Sequence, residues 1–192
     1  MAEILEIRWH GRGGQGTVTA AKVLAEASMA EGKNVQAFPE YGPERMGAPL
    51  RAYNRISANA MTIHCQVTNP AVVAVADPTL LDSIDVTEGA TADAIYIVNT
   101  TAAPKDIRSK MKIGAGAQKV FCVDANQISI DTIGRVMPNS AMLGAVVKAT
   151  AVVKIETLLT DIRGSFGKKF PEKIIQSNLD AASRAYEEVK GE

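Results

Sequence analysis

Ile4-Leu5-Glu6-Ile7-Arg8-Trp9-His10-Gly11-Arg12-Gly13-Gly14-Gln15-Gly16-Thr17 stands at the head of a 192-residue chain, and its reading decides the fold. Apolar and polar residues alternate from Ile4 to Trp9, the period of a strand with two unlike faces. Gly11, Gly13 and Gly16 follow in the G-x-G-x-x-G spacing. The next run, Val18 to Ala27, is rich in alanine and reads as a helix. Strand, glycine turn and helix form the context in which a phosphate-binding loop works. Glycine turns sharply and keeps Cβ atoms away from an approaching anion. The unpaired amides at a helix start, with the positive end of its dipole, favour negative charge. Gly11, Arg12, Gly13, Gly14, Gln15 and Gly16 are therefore the candidate anion site, with Arg12 as a charged donor within it. A glycine turn of this kind also serves simply to bring a helix close to a sheet.

Working outward, Gly32 reads as the stop of the first helix. Asn34 to Phe38 reads as a short second strand closed by Pro39. Phe38 to Pro49 is punctuated by proline and glycine and reads as a loop. Its Tyr41, Gly42, Glu44 and Arg45 are the candidate contact surface for a partner, since so many functional and apolar side chains on one loop expect a covering surface. Leu50 to Ser57 and Met61 to Val67 both alternate and read as an antiparallel pair joined by Ser57–Ala60. Ala71 to Ala76, Ala94 to Asn99 and Lys119 to Asp124 are apolar runs typical of buried strands. Short helices are expected over Thr79–Ser83, Pro104–Met111 and Ala125–Ile133. Beyond Met137 only helices are expected, over Ala141–Ile155, Ile155–Phe166 and Pro171–Val189. Ile174, Ile175, Leu179, Ala182 and Tyr186 line one face of the last.

Strands that alternate with helices predict an α/β domain with a mainly parallel sheet covered on both faces. The antiparallel pair makes that sheet mixed, and no linker divides the chain into domains.

Composition narrows the function. Hydrophobic residues make up 46% of the chain, enough for a core. Lys+Arg and Asp+Glu both number 21, so no basic excess points to nucleic acid. No apolar run is long enough to span a bilayer, and no signal peptide opens the sequence, which predicts a cytoplasmic protein. The two cysteines, Cys65 and Cys122, lie far apart. They cannot build a zinc site or an iron–sulfur cluster in this chain and are expected as small buried residues. The two histidines, His10 and His64, are expected to be structural. No nucleophile–base set is suggested by order or spacing, so no catalytic residue and no metal ligand is assigned.

A dinucleotide loop would need an acid at the end of the second strand. The nearest, Glu40, lies beyond a proline. A P-loop would need Lys after Gly16, where Thr17 stands. Asp77, Asp82 and Asp85 follow a strand, where ligand groups and turn-forming residues are both common.

Three segments carry a resemblance: Ile7 to Gly16, Val35 to Pro49, and Arg51-Ala52-Tyr53-Asn54-Arg55. With Asn69-Pro70, Asp77 to Leu81 and Asn139-Ser140-Ala141-Met142-Leu143-Gly144-Ala145, the chain resembles the γ subunits of pyruvate:ferredoxin oxidoreductases over nearly its whole length. Glu44-Arg45-Met46-Gly47-Ala48-Pro49 resembles the pyruvate branch more than the 2-oxoglutarate or indolepyruvate branches. The resemblance implies a single domain over residues 1–192. Its fold would be three-layer α/β/α with a Rossmann-like first βα unit and C-terminal helices. It implies a complex that converts pyruvate, coenzyme A and oxidised ferredoxin to acetyl-CoA, CO₂ and reduced ferredoxin. Thiamine diphosphate with magnesium would lie between α and β subunits, and [4Fe-4S] clusters in the β and δ subunits. Coenzyme A would be held here, by Gly11 to Gly16 with Arg12. The alternatives are a γ subunit for another 2-oxoacid, a free-standing nucleotide-binding protein, and a purely architectural subunit.

Overall fold

A computed structural model describes residues 4–40, 47–167 and 169–192. Seven strands form one mixed sheet in the order β2-β3-β1-β4-β5-β6-β7. The first strand, β1 (Leu5–Arg12), runs past the alternating residues and takes in Gly11 and Arg12. It does so because β3 (Pro49–Ser57) lies antiparallel along its whole length, down to Arg12 opposite Pro49. On its other side β1 is parallel to β4 (Val72–Val75). β5 (Ile95–Asn99) and β6 (Lys119–Val123) continue the parallel set.

The chain leaves β1 through the glycine turn into α1 (Thr17–Ala30), whose Ala20, Ala21, Leu24 and Ala27 lie against the sheet. Small side chains let the helix axis approach closely. Gly32, with φ +77°, turns the chain out of the helix as expected. β2 (Asn34–Glu40) then forms the sheet edge beside β3. It includes Pro39, which was expected to end it. A proline lacks one donor, and an edge strand has donors to spare on its open side.

Two expectations fail here for one reason. β3 is antiparallel, but its partners are β1 and β2, so both its edges are filled. Nothing remains for 61–67 to pair with, and that segment forms no strand. Its Ile63 carbonyl accepts from Gln36 Nε2 of the edge strand β2 at 2.8 Å instead. Cys65 and His64 are consequently exposed, whereas Cys122 is buried, its thiol pushed up to about 12 by burial.

After β4 a 3-10 turn covers Pro78–Asp82. The helices α2 (Pro104–Lys110), α3 (Ala125–Ile133), α4 (Asn139–Thr150), α5 (Ile155–Gly167) and α6 (Glu172–Glu188) follow. α4 begins two residues earlier than expected and stops at Ala151, which adopts φ +50° and separates it from α5. α6 packs against α4 at Gly144, where an added Cβ would lie 2.0 Å from the Ala182 carbonyl oxygen. The strands do not end before the last helices: β7 (Lys190–Gly191) pairs antiparallel with β6.

The larger core lies on one face, among Trp9, Leu24, Met142, Leu143 and Leu158. The smaller lies on the other, among Val73, Tyr96, Val98 and Ile107. The architecture is therefore three-layer α/β/α, with α1 and the C-terminal helices on the thicker side. Among the described residues no helix is long and apolar enough to cross a membrane.

Candidate functional site

The glycine turn sits at the C-terminal end of β1, the end at which α/β sheets bind ligands. Its residues have distinct tasks. Gly11 is buried within the strand, and a Cβ there would lie 2.1 Å from Thr17 Oγ1. It is glycine because α1 starts against it. Gly13 is tied to the approach to β3, its amide donating to the Ala48 carbonyl at 3.1 Å and its carbonyl accepting from Gly47 at 3.3 Å. Gly14, with φ +95°, faces open space. Gly16 precedes α1 with φ +76°, and a Cβ there would lie 2.8 Å from Asn139 Cγ. Two of these glycines thus serve close packing, and Gly14 leaves the turn open.

Gln15 locks the turn. Its amide donates to the Arg12 carbonyl at 3.1 Å, and its Oε1 accepts from the Arg12 amide at 2.8 Å. Its Nε2 donates to Asp77 Oδ2 at 2.7 Å.

Arg12 is not a free cation. Its guanidinium reaches Asp77 Oδ2 at 3.2 Å, Thr79 Oγ1 at 2.8 Å and the Gly47 carbonyl at 3.2 Å. Its side chain is 29% exposed, so one edge still faces the cleft. Asp77 also accepts from the Thr79 amide at 3.0 Å. Burial alone would raise the Asp77 carboxyl; hydrogen bonds from Thr79 and Gln15 and the charge of Arg12 outweigh it and hold it below its ordinary value. Asp77 and Thr79 therefore anchor the loop.

His10 is fully buried, and its Nε2 accepts from Arg8 Nε at 3.0 Å. Burial, with the charges of Arg8 and Arg51, pushes it down to about 3, so the ring is neutral and structural. Arg8 in turn donates to the carbonyls of Val86 and Glu88 at 2.9 and 2.8 Å.

Among the described residues no side chain caps α1, and its first turn holds no acid. A cleft of about 1320 Å³ opens there. It is lined by Gly14, Gly16 and Thr17 at its head and by Lys22, Val23 and Glu26 further along α1. α5 and the start of α6 form the opposite wall through Asp161, Phe166 and Ile174. α1 is about 20 Å long at 1.5 Å per residue, so the cleft that runs along it is elongated. Sequence reasoning missed Arg135 and Asn139, which line the head of the cleft from the α3–α4 side. Asn139 stands after a proline, just ahead of the helix expected from Ala141; only the fold brings it to Gly16.

The acid sought for a dinucleotide is present but displaced. Glu40 ends β2, yet β3 lies between β2 and β1. Two strand spacings, about 10 Å, separate it from the glycine turn. It contacts Tyr53 and Arg51 instead. Tyr41, Gly42, Glu44 and Arg45 lie outside the described residues.

Together these features define an α/β domain with an uncapped helix start at the head of a long cleft and an antiparallel pair set beside the first strand. The chain belongs to the pyruvate ferredoxin/flavodoxin oxidoreductase family, whose model matches residues 6–188. It is 48% identical to pyruvate synthase subunit PorC of Thermotoga maritima, over 96% of this chain and 94% of that protein. It is 46% identical to the pyruvate/ketoisovalerate oxidoreductases common subunit gamma of Pyrococcus abyssi, over 97% of this chain and 98% of that one. The crystal structure of Thermotoga maritima pyruvate oxidoreductase subunit PORC superposes with a TM-score of 0.86 at 44% identity, covering 98% of both chains.

Proposed function

We propose that this chain is the γ subunit of a cytoplasmic pyruvate:ferredoxin oxidoreductase, acts as one domain over residues 1–192, and holds coenzyme A for the complex. The observation that carries the reading is the uncapped start of α1 at the head of the cleft. The amides of Gly14 and of Gly16 to Thr19 face the phosphates, Arg12 fixes the turn and lends its exposed edge, and the rest of the carrier runs along α1. The chain's contribution is positioning: it lowers the entropy cost of bringing the thiol to the reaction centre. The chemistry of decarboxylation and electron transfer belongs to thiamine diphosphate with magnesium and to [4Fe-4S] clusters in the α, β and δ partners, with ferredoxin as acceptor. Tyr41, Gly42, Glu44 and Arg45 dock on those partners; Arg45→Glu is expected to lower the amount of subunit that co-purifies with them.

A γ subunit for another 2-oxoacid is the second reading, and one finding favours keeping it. The Pyrococcus abyssi relative is named as common to pyruvate and ketoisovalerate oxidoreductases. A shared γ subunit does not itself choose the 2-oxoacid.

Thr19→Glu tests the coenzyme A reading. Thr19 is exposed, lies in the first turn of α1 and lines the cleft. An acid there favours the helix but repels phosphate. In the assembled enzyme, KM for coenzyme A is expected to rise roughly tenfold, the effect of losing one charge-assisted contact, with kcat at saturating coenzyme A retained. An unchanged KM overturns the reading.

A further inference from the structure

Among the described residues four cationic side chains line the cleft: Arg12, Lys22, Arg135 and Lys169. They are not equivalent. Arg12 faces Asp77 Oδ2 at 3.2 Å and turns its donors on Thr79 and the Gly47 carbonyl. Lys22 leans on Glu26 of its own helix at 3.7 Å. Lys169 lies between α5 and α6, on the opposite wall. Arg135 stands at the head of the cleft and is exposed, and no ion pair or side-chain hydrogen bond ties it to another described residue.

The backbone that carries Arg135 is nonetheless fixed. Gly134 ends α3 with φ +83°, and its amide donates to the Ile130 carbonyl at 3.0 Å. Past Arg135, the Met137 amide donates at 3.1 Å to Oγ of Ser129, a fully buried residue. Asn139 then packs on Gly16, where an added Cβ would lie 2.8 Å from its Cγ. The connector is thus pinned to α3 on one side and to the glycine turn on the other.

The far end of the cleft has the opposite charge. Glu26 on α1 and Glu156 and Asp161 on α5 line it. Glu26 lies seven residues beyond Thr19, about 10 Å along the helix at 1.5 Å per residue. A phosphate displaced down α1 from the glycine turn meets carboxylates. One displaced toward the α3–α4 connector meets Arg135.

Coenzyme A carries its diphosphate on O5′ and a further phosphate on O3′ of one ribose. A diphosphate held at the glycine turn therefore leaves the 3′-phosphate one sugar away, still at the head of the cleft. We infer that Arg135 recognises this 3′-phosphate and so selects coenzyme A over its dephospho form. The inference rests on the coenzyme A reading and deepens it. The glycine turn and α1 take the diphosphate that both molecules share, and Arg135 takes the group that distinguishes them. A guanidinium suits the task because its paired donors match phosphate oxygens.

Calorimetry on the assembled enzyme with coenzyme A and with dephospho-coenzyme A tests it. The native complex is expected to bind coenzyme A roughly 10- to 100-fold more tightly, the effect of one charge-assisted contact. In Arg135→Ala the preference should fall to within about threefold, through weaker binding of coenzyme A alone. Arg135→Lys keeps the charge but not the fork and should restore part of it. Lys22→Ala and Lys169→Ala should retain it. A merely structural arginine would weaken both ligands alike, and that result overturns the inference. So does a preference that is absent from the native complex, unaltered in Arg135→Ala, or lost in Lys22→Ala or Lys169→Ala. In each of those cases the coenzyme A reading stands if Thr19→Glu raises KM for coenzyme A. If that KM is unchanged as well, both fall.

Discussion

At the C-terminal ends of β4, β5 and β6 a side chain fills the open amides of a turn or helix start; at the start of α1, after β1, none does among the described residues. Asp77 follows β4 and accepts from the Thr79 amide at 3.0 Å. Asn99 ends β5, where its Oδ1 accepts from the Asn126 amide at 3.3 Å and its Nδ2 donates to the Ala76 carbonyl at 2.8 Å. Asp124 follows β6 and accepts from the Gln127 amide at 2.9 Å. Each of these side chains fills amides that a turn or helix start leaves open. β1 ends in glycines, and its helix start has no such side chain. Strand ends of one sheet thus divide into ends that a side chain caps and one that none caps among the described residues, and the residue type at the turn makes the division.

Asp77 holds the closed and open ends together, so its removal should have the largest effect. Asp77→Ala leaves the Thr79 amide, the Gln15 carboxamide and the Arg12 guanidinium without their acceptor. A loss of about 2–3 kcal/mol in urea unfolding is expected, the cost of orphaned and partly screened polar groups. A loss under about 0.5 kcal/mol, the range of ordinary surface changes, breaks the description of β4 as a self-closed end. The pH dependence follows in sign. The folded carboxyl lies below its ordinary value of 3.8, so its contribution is full above that value. It is lost as pH falls through the folded value, because the unfolded chain then binds the proton more tightly. Asp77→Asn should flatten that part of the acid limb.

Much of this frame is legible in the residues. β1, the glycine turn and α1 announce themselves by local pattern, and the buried parallel strands by short apolar runs between turns. What fails is what depends on distant partners. The alternation in Met61 to Val67 is strand-like, but β1 already occupies the edge it needs. Pro39 reads as a stop because the cost of a missing donor depends on whether a strand lies at the edge. β7 is two residues long and carries no period. Gly11 and Gly16 are glycine for Thr17 and Asn139, and the second of these contacts is tertiary. Arg12 looks like a phosphate donor because its counter-charge, Asp77, is remote in sequence.

The opposite wall of the cleft sharpens the contrast with a carboxyl that caps nothing. Among the described residues Asp161 Oδ2 is buried without a partner, and the hydroxyl of nearby Ser165 donates to Glu26. Burial, aided by the charge of Glu26 and only partly offset by the nearby Ser165 hydroxyl, raises Asp161 to about 6. For an acid raised in the fold the sign reverses. The unfolded chain ionises first, so a penalty builds as pH rises from 3.8 to about 6 and is complete above that. Asp161→Asn is expected to stabilise the chain at pH 8 by about 1 kcal/mol, a figure discounted for solvent screening. The gain should vanish in acid below the ordinary carboxylate range. A gain that does not vary with pH would mean that the carboxyl has found a partner and belongs with Asp77.

Thr17→Val gives the smallest effect and bears most directly on the open end of β1. Thr17 is 2% exposed, and its Oγ1 has no hydrogen-bond partner among the described residues. Valine replaces that hydroxyl with a methyl group of similar shape and has the same branching at Cβ. Removing an unpartnered buried hydroxyl relieves a desolvation cost rather than breaking a bond. The substitution is therefore expected to leave stability unchanged or raise it by about 0.5 kcal/mol, opposite in sign to Asp77→Ala. Urea midpoints at one pH suffice to compare the two. A destabilisation beyond about 1 kcal/mol, the worth of a hydrogen bond, would mean that the hydroxyl is bonded. The end of β1 would then be as closed as those of β4, β5 and β6, and the reason to place a ligand there would go with it.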